Sequence, residues 1–276
     1  MAAEPSRVFA DGLLDGQVAV VTGGGTNLGK AAAAELVRCG ASVLIAGRRE
    51  EVLEAAAEEV GCSYVVGDVR DGDQARGIVQ AALDRHGRLD LLLNNAGGQY
   101  FVPAEGITDK GWNAVQRLNV DGTLTMSETA YELAMKPANR GTIVNVTVSP
   151  HQGFPAMAHT GAARAAVEAL TSELASAWAG DGISVVAVAI GRFDTESLRK
   201  YPAELWRSAA ATVPLQRLGD VAEYGWLIAL LASGLGAACS GSVVTLDGAL
   251  DNWTGPWPPA GLARDGEVPT EERVAR

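Results

Sequence analysis

Residues 18–30 read Val-Ala-Val-Val-Thr-Gly-Gly-Gly-Thr-Asn-Leu-Gly-Lys. An apolar strand pattern breaks into glycines and then enters an alanine-rich helical pattern. Strand, glycine turn, helix is the order in which an α/β sheet builds an anion cradle. The N–H groups at the helix start point outward, and the helix dipole favours negative charge there. Glycines let a pyrophosphate approach the backbone with no Cβ in the way. A lone glycine-rich turn is a weak signal. Placed after a first strand and at the opening of a first helix, it predicts dinucleotide binding.

The rest of the chain continues the alternation. Strand patterns are expected at 17–21, 42–46, 63–66, 91–93, 142–148, 184–190 and 242–246. Helical patterns lie between them at 27–39, 50–60, 74–86, 112–135, 160–179 and 221–232. Seven strands joined by helical crossovers predict an α/β, single-domain Rossmann fold: a doubly wound seven-stranded parallel sheet with helices on both faces. The whole chain, 1–276, reads as one domain with its core at 12–248. A segment at 192–218, carrying Arg192, Arg199, Lys200, Trp206 and Arg207, follows a strand end and is placed to cover a substrate. The tail 249–276 holds Trp253 and Trp257 among prolines. That part is expected to pack, and the last ten residues to be mobile.

Composition narrows the partners. The net charge of −11 argues against nucleic acid or an anionic membrane surface, while leaving room for a local phosphate cradle. No uninterrupted apolar run approaches the ~18 residues of a membrane span. The N-terminus lacks the apolar stretch of a secretory signal. Cys39, Cys62 and Cys239 are odd in number and show no metal or disulfide spacing, which fits a reducing cytoplasm.

The end of the second strand reads the adenosine ribose in such folds. A carboxylate there selects NAD; this chain has Ala46-Gly47-Arg48-Arg49. Guanidinium groups pair with a 2′-phosphate, so Arg48 and Arg49 favour NADP(H) over NAD(H). The alternative is that both are solvated charges at a helix entry.

These residues resemble the short-chain dehydrogenase/reductase family over about residues 12–248. Thr22 to Gly29 is similar to its T-G-x-x-x-G-x-G turn, with Asn27 where a glycine belongs. Asp68-Val69 resembles the adenine-contacting pair, Asn94-Asn95-Ala96-Gly97 its N-N-A-G, and Asn119 the asparagine of its long helix. Gly191 and Thr195 resemble a P-G-x-x-x-T segment that holds the nicotinamide carboxamide, with Ile190 for the proline. Ala249 stands for a usual glycine, and both changes are expected to have small packing effects. Within the family the chain is most similar to the peroxisomal trans-2-enoyl-CoA and 2,4-dienoyl-CoA reductase branch, through 97–100, 110–115 and 153–165. The resemblance implies a cofactor set of Gly23, Thr26, Asn27, Leu28, Arg48, Arg49, Asp68, Val69, Asn95, Gly97, Arg164, Gly191 and Thr195. It also implies an acyl-CoA substrate and a homo-oligomer, dimer or tetramer.

One departure bears on the chemistry. Where the family has Tyr-x-x-x-Lys, this chain has Thr160 and Arg164. Threonine does not ionise near neutral pH, but its hydroxyl can donate a hydrogen bond. Arg164 stays charged, one helical turn on, and suits a ribose contact and developing negative charge. Its alternative is an ion pair with Glu168 at i+4. Thr147 or Ser149 supplies a substrate-orienting hydroxyl, with Ser149 preferred, and Asn119 holds a helix kink and a relay water. His151 reads as a solvent-facing loop histidine and Tyr100 as packing. The set Asn119, Ser149, Thr160 and Arg164 suits conjugate reduction of an enoyl thioester better than carbonyl reduction. The other readings are a reductase or dehydrogenase of a bulky ketone or alcohol, and an NADP(H)-binding protein without hydride transfer or with a non-redox reaction. A basic cluster of Arg192, Arg199, Lys200 and Arg207 at the mouth would favour CoA.

Overall fold

The computed structural model describes residues 6–252, except 152, 154–155 and 200–202, and excludes the side chains of 197, 204 and 205. Lys200 and the tail from 253 therefore lie outside the described residues. Seven parallel strands form one sheet in the order β3-β2-β1-β4-β5-β6-β7. They are β1 Val18–Thr22, β2 Ser42–Gly47, β3 Ser63–Val66, β4 Leu91–Asn94, β5 Gly141–Val148, β6 Ile183–Ile190 and β7 Val243–Leu246. The helices are α1 Asn27–Arg38, α2 Glu50–Val60, α3 Gly72–His86, α4 Asp109–Gln116, α5 Gly122–Ala130, α6 Lys136–Ala138, α7 Ala158–Trp178, α8 Glu196–Arg199, α9 Ala203–Ser208 and α10 Val221–Ala232.

Central strands β1 and β4 are buried along their whole length, as apolar runs in a parallel sheet covered on both faces must be. The strand period of two splits each run between two cores. Val21, Ile45 and Leu93 pack with Leu36 of α1, Leu53 of α2 and Ile228 of α10. Val20, Leu44 and Leu92 pack on the other face with Ile78 of α3, Met126 of α5 and Trp178 of α7.

Strand order reverses between β1 and β4, because β2 and β3 lie on one side of β1 and the remaining strands on the other. A crevice opens at such a switch point beyond the strand ends, which is where the glycine turn leads. The long helix expected at 112–135 begins earlier, at Asp109, capped by the Thr108 side chain. It also contains two π-helical turns, Arg117–Asp121 and Tyr131–Met135. The first places Asn119 on a local bulge, the kind of irregularity that clusters at functional sites.

Candidate active site

A cleft of about 720 Å³ lies over the ends of β1, β4 and β5. Every residue expected to contact a dinucleotide lines it: Gly23, Thr26, Asn27, Leu28, Arg48, Arg49, Asp68, Val69, Asn95, Gly97, Arg164, Gly191 and Thr195. Of the residues expected to do chemistry, only Arg164 does so. Asn119, Ser149 and Thr160 stand behind its walls.

The turn fits a pyrophosphate. Gly23 has φ +66°, and a Cβ on Gly29 would lie 2.4 Å from the Gly23 carbonyl oxygen. Both positions therefore require glycine. Asn27 takes φ +46°, a conformation asparagine tolerates better than most residues. The α1 N-cap, Thr26, makes no side-chain cap bond, and the first turn carries no acid. The positive end of the helix is thus left for an anion. Arg48 and Arg49 are exposed at the entry to α2 on the same cleft. The Asp68 carboxylate is held by the Arg70 guanidinium, with Nε donating at 2.9 Å, and that hydrogen bond is the main cause of its lowered pKa.

Asn95 secures the floor. Its amide nitrogen donates to the carbonyls of Thr22 at 3.0 Å and Gly23 at 3.3 Å. Its oxygen accepts from the buried Tyr224 hydroxyl of α10 at 3.4 Å, a partner no local sequence signal announces. Below, Asn94 bonds Asn145, and Asn145 bonds Thr171 of α7, each at 2.9 Å. This buried polar chain fixes α7 against β4 and β5, and with it Arg164.

Arg164 is buried, and its Nη1 donates to the Val146 carbonyl at 2.6 Å. A Cβ on Gly97 would lie 2.5 Å from Nη2, so only glycine lets the guanidinium sit there. Burial lowers its pKa to about 10, which leaves it charged at neutral pH. Its Nε is buried without a hydrogen-bond partner among the described residues. The ion pair with Glu168 is not formed; Glu168 bonds His151 Nε2 at 3.0 Å instead. A buried cation on the cleft wall with unspent donor capacity fits a ribose hydroxyl or a developing oxyanion.

Asn119 is fully buried and works on the wall. Its Nδ2 donates to Gly98 O at 2.9 Å and Val115 O at 2.8 Å, and its Oδ1 accepts from Gly98 N at 3.2 Å. The sequence preference for Ser149 is corrected: its hydroxyl donates to Asp247, 98 residues on, and is not presented to the cleft. The Thr160 and Thr147 hydroxyls are buried without partners and do not line the cleft. Tyr100 packs edge-on to His159, ring centroids 4.5 Å apart, with its hydroxyl over Gly111. His151 is no free loop histidine. Its Nδ1 meets Asp251 at 2.5 Å, joining the loop after β5 to the segment after β7.

The cleft is also lined by residues without a motif: Gln99, Phe101, Leu118, Val148 and Met157. A bond from Val102 N to Ala156 O at 2.8 Å brings their two loops together. Among the described residues, no Tyr, Lys, His, Cys or Ser lines the cleft. Among the described residues, the basic side chains expected at the mouth are not gathered on the cleft. Arg199 pairs with Asp194 at 3.0 Å, Arg207 lies over the Trp206 ring, and only Arg192 of the described set reaches the cleft. Arg192 is partly buried there and bonds Thr212. No helix among the described residues is long and apolar enough to cross a membrane.

Fold, glycine cradle and N-N-A-G floor together define an oxidoreductase fold of nicotinamide type, and the comparisons agree. Residues 24–250 match the family described as enoyl-(acyl carrier protein) reductase. The chain belongs to the short-chain dehydrogenase/reductase family. It is 33% identical to a probable 2,4-dienoyl-CoA reductase of Bacillus subtilis, over 89% of this chain and 100% of that protein. It is 32% identical to the peroxisomal 2,4-dienoyl-CoA reductase of Danio rerio, over 88% of this chain and 84% of that one. Among solved structures, a citronellol catabolism dehydrogenase of Pseudomonas aeruginosa is 34% identical, with a TM-score of 0.79, covering 88% of this chain and 98% of that one.

Proposed function

We propose that the protein is an NADPH-dependent reductase that delivers hydride to the β-carbon of a 2-enoyl thioester or to the δ-carbon of a 2,4-dienoyl one. The observation that carries this reading is Arg164: a buried, charged guanidinium against Gly97, in a cleft where no described residue is a proton-donating acid. The bound nicotinamide supplies the hydride. Arg48 and Arg49 would hold the 2′-phosphate, the α1 N-terminus the pyrophosphate, and Gly191 and Thr195 the carboxamide. Asn119 keeps the Gly97–Gly98 wall in place.

In the 2-enoyl substrate, a C–H bond forms at the β-carbon and the alkene pair moves onto the thioester as an enolate; in the dienoyl one the bond forms at the δ-carbon and both alkene pairs shift to give the extended enolate. Arg164 stabilises that oxygen, and a proton from water completes the α-carbon. Carbonyl reduction instead asks for a proton at oxygen as hydride arrives, and no described residue lining the cleft is such an acid.

A second reading, reduction of a bulky ketone or oxidation of the alcohol, is favoured by one observation: two of the basic residues expected to hold CoA, Arg199 and Arg207, are engaged with Asp194 and Trp206. The similarity to a citronellol catabolism dehydrogenase supports the same reading. NADPH oxidation measured on enoyl-CoA, 3-oxoacyl-CoA and bulky ketone substrates separates the two.

A further inference from the structure

Asn27 links two parts of the cleft that lie 169 residues apart. Its Oδ1 accepts from the Glu196 backbone N–H at 3.2 Å. Glu196 opens α8, so its amide has no partner inside that helix. Thr195 Oγ1 accepts from Leu198 N, also at 3.2 Å. Two first-turn donors of α8 are thus satisfied by two side chains, one of which belongs to the glycine turn.

The base of this segment is anchored separately. Phe193 bridges Gly219, Asp194 N donates to Gly219 O at 3.0 Å, and Gly219 N donates to Arg192 O at 2.8 Å. With the base fixed, the Asn27–Glu196 bond ties residues 195–198 to the turn. Thr26 to Gly29 form one wall of the cleft, while Thr195 and Leu198 belong to the other. The bond therefore joins the two walls across the pyrophosphate cradle.

We propose that Asn27 is a latch whose bond to Glu196 gates entry to and exit from the cleft. This rests on the dinucleotide reading above. Glycine at this position would form the turn equally well, since it adopts positive φ freely. What asparagine adds to this bond is the acceptor. The bond is made wholly of protein atoms and needs no nucleotide to form. A gate of that kind changes both rates of binding and leaves the equilibrium nearly untouched.

The test is stopped-flow NADPH fluorescence on the full chain for wild type, Asn27→Gly, Glu196→Pro and the double variant. Glu196→Pro removes the donor without touching the glycine turn. Proline suits a first helical position, and it holds Thr195 to the extended backbone an N-cap uses. Each single variant is expected to raise the association and dissociation rate constants about fivefold, the size of one neutral hydrogen bond. The dissociation constant of Glu196→Pro should stay within about twofold, and the double variant should be no faster than either single one. Rates equal to wild type overturn the latch. So does faster dissociation with weaker affinity in Asn27→Gly alone, which marks a direct nucleotide contact.

A second readout needs no nucleotide. Amide exchange at Leu198 should be about fivefold faster in both single variants, and unchanged exchange overturns the latch. If wild type binds neither NADPH nor NADH, the dinucleotide reading falls and the gate with it, while the exchange result still decides whether the bond orders this segment.

Discussion

Arg164 donates through Nη1 to the Val146 carbonyl at 2.6 Å, which turns the rest of its guanidinium toward Gly97 and the cleft. The bond anchors a charge that a flexible side chain would otherwise place loosely, and it positions that charge at the end of β5. Arg164→Ala is expected to lower kcat/KM for an enoyl thioester about 10²–10³-fold, the range for losing a preorganised donor to a developing oxyanion. Arg164→Lys should recover part of the loss, because it keeps charge without the planar fork. Steady-state kinetics check both. A loss smaller than about threefold in Arg164→Ala would remove Arg164 from the mechanism.

Arg48 stands on the cleft where a 2′-phosphate is expected. Arg48→Asp exchanges a phosphate partner for an acceptor of ribose hydroxyls. The ratio of NADPH to NADH affinity should fall about 10–100-fold, the span of one charge-assisted hydrogen bond. Paired fluorescence titrations measure it. An unchanged ratio would make Arg48 a solvated surface charge.

Ala249 has φ +70°, in the left-handed region that penalises a Cβ. The sequence led us to expect only a small packing effect from alanine at this position. The structure makes it a backbone effect instead. Ala249→Gly is expected to stabilise the fold by about 1 kcal/mol. Urea denaturation should show a higher midpoint at unchanged slope; an equal or lower midpoint counts against the strain.

His151 sits between Asp251 and Glu168. Partial burial opposes its charge, but the hydrogen bonds and charges of Asp251 and Glu168 outweigh it, so the pKa is raised above 6.5. A raised folded-state pKa means stabilisation fully present below about pH 6.5 and lost as pH climbs through the higher folded value. Wild-type denaturation midpoints should therefore fall between about pH 6 and pH 9, and His151→Gln should flatten that slope. Equal slopes would show that the bridge contributes nothing.

Features written in local spacing were legible in the sequence. The alternation of apolar strands with helices gave seven parallel strands, and the glycine turn, Arg48, Asp68, Asn95 and Arg164 all reach one cleft. Features that depend on distant partners were not legible. Ser149 looked like a substrate-facing hydroxyl, but in the structure it donates its hydrogen bond to Asp247, 98 residues away. The alternative for Arg164, an ion pair with Glu168 on the same helix face, was open in the sequence; His151 on a separate loop bonds Glu168 instead. The wall of Gln99, Phe101 and Met157 carries no motif, because an apolar lining is set by shape rather than by residue spacing.

The central claim is hydride transfer to a conjugated thioester by a site built around Arg164. The most direct measurement is kcat/KM with NADPH for a 2-enoyl-CoA against the 3-oxoacyl-CoA of equal chain length. The account predicts a preference of at least about tenfold for the enoyl substrate, roughly 1.4 kcal/mol of transition-state discrimination. Faster reduction of the 3-oxoacyl substrate, or NADPH binding with no turnover of either, would contradict it.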